Sequence, residues 1–324
     1  MPCLSVIVPT WNGSEVLRRN LTAVAVEAAR FPGGAEVLVV DDASDEPEDA
    51  TGRVVAGSGP VARLVRETVH RGFGGTCNAG AAEAAGELLL FLNNDMRPLP
   101  GCLAALAGAL DARPDVFAVV PVVDNREEGF FESAVRLRLF RGVFDVVQPG
   151  RAGEPPPEPG ETRPVAFPCG GAFLTRRSSF LALGGFVGGY APFYWEDVDL
   201  GWRAWCGGSG CYQVGAARVL HEHAATIGAR YGRAEVAALY ERNRLLFTWT
   251  HLAGLGAWAA HLAWLPARWL AACARRDPAW RGPGLALARW PGVRDARRSA
   301  RPASSAARRL LATVRSTLEG GWPG

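Results

Sequence analysis

The residues in this chain able to do chemistry are a few acids and histidines set in unusual company. In FYWEDVDLGWRAW (193–205), Glu196, Asp197 and Asp199 fall among Phe193, Tyr194, Trp195, Trp202 and Trp205. A carboxylate is costly to bury unless it is paired or bound to a cation, so the stretch has two readings. In one, the acids belong to a helix: Glu196 and Asp197 offset the macrodipole at its start, and Asp199 pairs with Arg203 at i,i+4. Val198, Trp202 and Trp205 then form its core face. In the other, one acid is a general base in a pocket walled by rings. Further along, VLHEHAAT carries His221 and His223 at the end of a strand pattern. A histidine there is structural or, beside an aspartate, a ligand for a divalent metal.

Three more polar stretches each follow an apolar run: PTWNG (9–13), the pair Asp41–Asp42, and Asn93–Asn94–Asp95. Acids at strand ends hydrogen-bond a base or ribose, or hold a cation that bridges phosphates. Singly, each reads equally well as a loop-capping residue. RGFGGTCNAG (71–80) sets glycines ahead of a helix, where backbone amides suit a phosphate and Arg71 could neutralise a diphosphate. It lacks the GxGxxG of a dinucleotide site, and a tight turn explains it as well.

The elements that must position these residues alternate. Apolar runs at Leu4–Val8, Val37–Val40, Leu88–Leu92 and Val116–Val122 read as strands buried on both faces. Between them Ser14–Arg30, Gly75–Ala85 and Pro100–Leu110 read as helices. The alternation predicts an α/β fold, a mainly parallel sheet with helices on both faces. Residues 123–165 break the rhythm, and GEPPPEPGETRP (153–164) reads as a surface loop. AFPCGGAFLTRR then predicts a strand with a short helix over 177–183, ended by Gly184–Gly185. A helix from near Glu196 and a strand over Tyr212–His221 follow. The 324 residues, 48% hydrophobic, suffice for one large domain or a domain with an appendage. A net charge of +3 gives no ground for a nucleic-acid partner. The seven cysteines form no CxxC pair and no zinc-spaced cluster. Met1 running directly into LSVIVP, together with scattered thiols, fits a reducing cytoplasm.

Taken in order, SVIVPTWNG, VLVVDDASDE, RGFGGTCNAGAAEAAGELLLFLNNDM, CGGAFLTRR, LGGF, FYWEDVDLGWRAW, VLHEHAATIG and ERNRLL resemble the family-2 glycosyltransferases with a GT-A fold. The resemblance covers roughly residues 3–250, and the EDVDL form is similar to bacterial rhamnosyltransferases and galactofuranosyltransferases. It implies a Rossmann-like GT-A domain over 1–244, with 123–165 as an insertion, and a helical extension over 245–324. It implies an inverting enzyme that uses Mg2+ or Mn2+ to move a sugar from a nucleotide-diphosphate donor to a glycan or lipid-linked acceptor. By this resemblance Thr10, Trp11, Asp41, Asp42, Arg71, Gly74 and Asn94 face the nucleotide sugar. Asp95 is the surviving acid of a metal-binding DxD motif, and His221 is the second metal ligand. Asp197 is the catalytic base with Glu196 beside it, and Gly170, Gly171 and Trp195 shape the acceptor side. Two departures stand out: Asn93 and Asn94 leave one acid in the DxD position, and Val187–Gly188 replace the Asp-Glu that often follows GGF. Two other readings compete. A nucleotidyltransferase on a similar sheet carries basic residues after the first strand, which PTWNG lacks. A non-catalytic sugar-nucleotide-binding protein has no need of Asp95, Asp197 and His221 together.

Beyond the expected domain, Leu245–Ala267 contains no Asp, Glu or Arg, and Arg268–Arg315 holds twelve arginines against Asp277 and Asp295. The apolar run reaches the roughly 20 residues of a membrane span. A single span, however, puts the arginines opposite a cytoplasmic catalytic domain, against the positive-inside tendency. The expectation is therefore of helices lying on the inner leaflet of the cytoplasmic membrane, arginines on anionic headgroups.

Overall fold

The computed structural model describes residues 3–46, 49–125, 128–222 and 230–299; His223 and the arginines beyond residue 299 lie outside them. The amino-terminal half runs β1 (Leu4–Thr10), α1 (Ser14–Ala29), β2 (Ala35–Asp41), α2 (Ala50–Ala56), β3 (Ala62–Arg66), α3 (Gly72–Glu83), β4 (Leu88–Leu92), β5 (Met96–Pro98), α4 (Cys102–Asp111) and β6 (Ala118–Asn125). There follow β7 (Phe130–Phe131), β8 (Arg136–Phe140), β9 (Val143–Val147), β10 (Thr162–Val165), β11 (Ala172–Arg176), α5 (Arg177–Ala182), α6 (Glu196–Cys206) and β12 (Cys211–His221). Helices α7 (Arg233–His251), α8 (Leu255–Ala274), α9 (Gly282–Leu287) and α10 (Trp290–Ser299) complete the described chain.

The main sheet has the order β10-β12-β6-β11-β4-β1-β2-β3. β1 pairs in parallel with both β2 and β4, β2 with β3, and β6 with β12, whereas β11 runs antiparallel between β4 and β6. Alternate residues of one strand serve two cores. Leu4, Val6 and Val8 meet Leu17, Leu21 and Val24 of α1 and Leu103, Leu106 and Leu110 of α4. Ile7 faces the other layer, with Cys77 and Ala81 of α3 and with Phe91, Phe173 and Phe180. Burial on both faces is why these strands are apolar throughout rather than alternating. Because β1 has β2 on one side and β4 on the other, the sheet winds outward from it, and a crevice opens beyond the strands' carboxyl ends.

Two strands escape the sequence pattern. β3 (ARLVR) carries two arginines because it is an edge strand, and β5 is only three residues long and contains Pro98. β5 matters for the site: its antiparallel register sets Met96 opposite His221, which carries Asp95 to the end of β12.

The segment 123–165 differs from the expected loop. β6 continues to Asn125, β7 pairs with β6, β8 and β9 form a hairpin, and β10 adds an edge strand to β12. Its apolar residues explain this, since Val135, Leu137, Val143 and Phe144 are buried and Phe144 meets Trp202 of α6 and Phe247 of α7 edge-on. The proline run between β9 and β10 carries neither strand nor α-helix. The run 245–267 is also not one helix. It breaks at Leu252–Gly254, and residues 244 and 245 are consecutive inside α7, where Leu245 and Phe247 are fully buried. His261 of α8 is buried too. Its Nδ1 donates to Gly142 O at 2.8 Å and its Nε2 accepts from Trp249 Nε1 at 2.8 Å, so the ring is neutral and ties α8 to the hairpin. Burial lowers its pKa, in keeping with that tautomer. Among the described residues no helix is long and apolar enough to cross a membrane.

Candidate active site

A cleft of about 1160 Å³ lies at the carboxyl ends of β1, β2 and β4. Ligand pockets commonly measure about 300–1,000 Å³, so the space exceeds the need of one small ligand. Thr10, Trp11, Asp42, Asn94, Asp95, Trp195, Asp197 and His221, drawn from across the sequence, all line it. The turns after β1 and β4 are locked together: Asn94 Nδ2 donates to Thr10 Oγ1 at 3.0 Å, and Asn20 Nδ2 donates to Asn94 O at 3.2 Å. Trp11 stacks on His70 with centroids 4.2 Å apart. His70 Nδ1 lies 2.8 Å from Asp42 Oδ2. Asp42 also accepts from Arg71 N at 2.7 Å and Gly72 N at 2.9 Å, so it caps α3 as well as lining the cleft.

Other expected residues stand back from the cleft. Asp41 is buried beside it, accepting from Ser44 N at 3.0 Å. The half-exposed Arg71 side chain pairs with Glu67, in the loop after β3. Gly74 is a packing glycine, since a Cβ there would sit 3.0 Å from Phe186 Cβ. Gly171 likewise accommodates Met96, whose Cε would be 2.2 Å from its Cβ. Gly170 contributes through its amide, which donates to Asp197 Oδ2 at 3.0 Å.

At the end of β12, His221 Nε2 lies 3.3 Å from Asp95 Oδ2, and His221 Nδ1 lies 2.7 Å from Glu132 Oε2. Burial alone would lower the histidine's pKa; bonds and charge from Asp95 and Glu132 outweigh it and raise it to about 10. Asp95 Oδ1 is buried and has no hydrogen-bond partner among the described residues. A buried carboxylate oxygen left open beside an imidazole fits a divalent cation. Among the described residues no trio of His, Cys, Asp and Glu is arranged to hold a metal alone, so a diphosphate or water would have to complete the shell. Glu132 was not visible in the sequence as a site residue. It lies in FFES within the segment read as a loop, and only the β6–β7 pairing brings it to the cleft.

The acids of α6 divide between the two readings. Asp199 is structural: it accepts from Arg203 Nε at 2.6 Å and lies 2.8 Å from His251 Nε2. Burial alone would raise its pKa, but the His251 bond and the Arg203 charge hold it below the usual carboxylate value. Asp197 instead lines the cleft, accepting from Gly170 N and, at 2.8 Å, from Val198 N. Burial lifts its pKa to about 6 against those bonds. Glu196 turns inward, with Oε2 buried and unpartnered among the described residues. Burial first, and the neighbouring Asp197 second, push its pKa well above normal. The two residues before them, Tyr194 (φ 70°) and Trp195 (φ 77°), are left-handed, a conformation costing a non-glycine residue about 1–3 kcal/mol.

The family model for glycosyl transferase family 2 matches residues 5–184. The chain belongs to that family. It carries a GT-A fold: this family-2 glycosyltransferase superposes with a TM-score of 0.57 on a crystal structure of GalNAc-T7 with UDP, GalNAc and Mn2+, at 19% identity, covering 76% of this chain and 48% of that one. Among curated relatives, it is 29% identical to the N-acetylglucosaminyl-diphospho-decaprenol L-rhamnosyltransferase of Mycobacterium tuberculosis, over 81% of this chain and 88% of the relative. It is 27% identical to N-acetylgalactosaminyltransferase 7 of Drosophila melanogaster, over 72% of the chain and 41% of the relative. The chain therefore spans less than half of the animal relative and of the superposed structure. The family match ends before α6 and β12, so it covers Asp42 and Asp95 and leaves Asp197 and His221 to be judged on geometry.

Proposed function

We propose that this enzyme is an inverting, metal-dependent glycosyltransferase that moves a sugar from a nucleotide-diphosphate donor to a hydroxyl of a lipid-linked or glycan acceptor. The observation that carries this reading is that Asp95, His221 and Asp197 line one cleft although 126 positions separate the first from His221 (221 less 95). The nucleoside lies at the ends of β1 and β2, against Thr10, Trp11 and Asp42. Asp95 and His221 would hold Mg2+ or Mn2+, which when bound would offset negative charge on the departing diphosphate. Asp197, oriented by the Gly170 and Val198 amides, takes the proton from the acceptor hydroxyl as that oxygen attacks the anomeric carbon. Direct attack from the face opposite the diphosphate inverts the anomeric configuration. Tyr194, Trp195, Phe73 and Tyr231 wall the cleft and limit competing water. In this reading the folded catalytic unit extends beyond residue 244 to the end of α7, with α8–α10 as the helical extension.

The acceptor reading draws on exposed apolar residues of the extension. Leu255, Leu262, Trp264, Trp269, Leu270, Leu287 and Trp290 are exposed there, with Arg275, Arg276, Arg281 and Arg289 nearby in sequence. Asp277 and Ala279, from the turn after α8, line the same cleft as Asp197. Exposed residues of this kind suit the cytoplasmic leaflet of a membrane, tryptophans at the headgroups and arginines on anionic lipid. It would set the cleft beside the head of a lipid-linked acceptor, the kind of substrate named for the mycobacterial relative.

The test is release of nucleoside diphosphate from UDP-, GDP- and dTDP-sugars. Turnover of at least one donor is expected with Mn2+ or Mg2+, and loss of it with a chelator. The rate should rise as pH increases through about 6, because the protonated Asp197 cannot accept the acceptor's proton. No turnover of any such sugar with an acceptor mixture of polyprenyl-diphosphate sugars would count against the enzyme reading.

A further inference from the structure

The loop that delivers Asp197 is fastened from behind by one side chain. Asn243, fully buried on α7, sets its Nδ2 2.6 Å from Tyr190 O, 2.9 Å from Phe193 O and 2.9 Å from Tyr194 O. An amide has two N–H hydrogens, so three carbonyls converge on two donors. The amide's orientation is fixed by Arg242, whose Nε donates to Asn243 Oδ1 at 2.8 Å. The Arg242 guanidinium adds Nη2 bonds to Ala191 O at 2.6 Å and Tyr190 O at 3.2 Å. Arg242 is 5% exposed, and among the described residues its hydrogen bonds go to backbone carbonyls and an amide rather than a carboxylate. A buried cation is ordinarily paired with an acid; this one is committed to holding a loop.

The loop needs holding. Tyr194 and Trp195 are both left-handed, and Glu196 and Asp197 follow at once. The same helix grips the loop's rings, since Trp195 lies 5.2 Å from Phe247 and 5.8 Å from Tyr240. On the other side Pro192 O accepts from Phe73 N at 2.9 Å. Released from α7, residues 190–195 would relax toward ordinary backbone angles, and the first turn of α6 would turn with them. The Asp197 carboxylate would then lose the Gly170 amide that aims it into the cleft.

We propose that Asn243 and Arg242 are positioning residues for the general base: together they hold the strained turn at Tyr194–Trp195 so that Asp197 faces the acceptor. Neither side chain lines the cleft, so neither contacts donor or acceptor. The proposal rests on the reading of Asp197 as the base.

The experiment compares Asn243→Ala, Arg242→Gln and Asp197→Asn in the full chain, each assayed for kcat and for donor affinity with Mn2+. Asn243→Ala should lower kcat by about 100-fold, with affinity for the nucleotide sugar changed less than about threefold. Arg242→Gln, which leaves the amide in place but frees its orientation, should lose about tenfold in kcat with the same split. Leu245→Ala, a core truncation two residues further along α7, should lower the melting temperature without changing kcat of the folded protein. If Asn243→Ala does not fold, Arg242→Gln decides alone. The proposal falls if both variants keep kcat within about threefold of the parent, or if donor affinity drops in step with kcat. Activity surviving in Asp197→Asn would instead overturn the base assignment on which the proposal rests, and a dead Asp197→Asn beside fully active Asn243→Ala and Arg242→Gln would overturn only the latch.

Discussion

Replacing Asp197 by Asn is expected to lower the transfer rate by about 10²–10⁴-fold, the usual contribution of a positioned general base, and to leave binding of a nucleotide sugar with Mn2+ nearly unchanged. The substitution preserves shape, but its single amide oxygen can accept from only one of the Gly170 and Val198 N–H groups, and it cannot take the acceptor's proton. Stability should change little, because removing a carboxylate whose ionisation burial disfavours offsets the one backbone hydrogen bond lost, worth about 0.5–1.5 kcal/mol. The neighbouring acid supplies the contrast. Asp199→Asn sits two residues along the same helix, yet it breaks a buried pair with Arg203 and His251, and removing one partner of such a pair costs about 3–5 kcal/mol. That variant should lose melting temperature first and activity only with the fold. Steady-state transfer kinetics beside calorimetric melting separate the two; equal loss of donor binding and transfer in Asp197→Asn would mean a structural role.

The second large effect is expected at the other end of the cleft. Asp95→Ala should weaken the Mn2+-dependent part of nucleoside-diphosphate binding by at least about tenfold, near 1.4 kcal/mol, and leave metal-free binding little changed. His221→Ala should act in the same direction. Asp95 Oδ1 is the open oxygen at this position, and Asp95 and His221 are brought together by the short β5–β12 pairing. Calorimetric titration with and without Mn2+ reads the difference directly. Undiminished Mn2+ dependence in Asp95→Ala would remove the metal from this site.

The sheet was legible because burial on both faces writes itself as unbroken apolar runs, and the end of each run pointed to Thr10, Asp42 and Asp95. What escaped was whatever tertiary context supplies. β5 is too short and too proline-bearing to show a period, yet it brings Asp95 to His221. Glu132 lies in a segment whose proline run suggests a loop, and its hairpin is specified by contacts with α6 and α7 rather than by local pattern. Arg71 and Gly74 show how a local pattern can carry more than one use. A glycine-rich turn before a helix suits a phosphate, but here the glycines let α3 approach Phe186 and Pro192 closely, and the arginine turns to Glu67. The apolar run 245–267 concealed a division of labour, its first turns entering the core and the remainder forming a separate helix. The acids of the aromatic stretch had two readings because both kinds of acid are present, Asp199 structural and Asp197 at the cleft.

The proposed mechanism requires the cation, the diphosphate and the base to share one cleft. Anomalous diffraction from crystals grown with Mn2+ and a nucleoside diphosphate tests this most directly. A manganese peak beside Asp95 and His221, with the diphosphate between it and the nucleoside at Trp11 and Asp42, and Asp197 facing the same space, is the predicted result. A nucleotide bound in the cleft with manganese elsewhere, or a diphosphate lying away from Asp95 and Asp197, would contradict it.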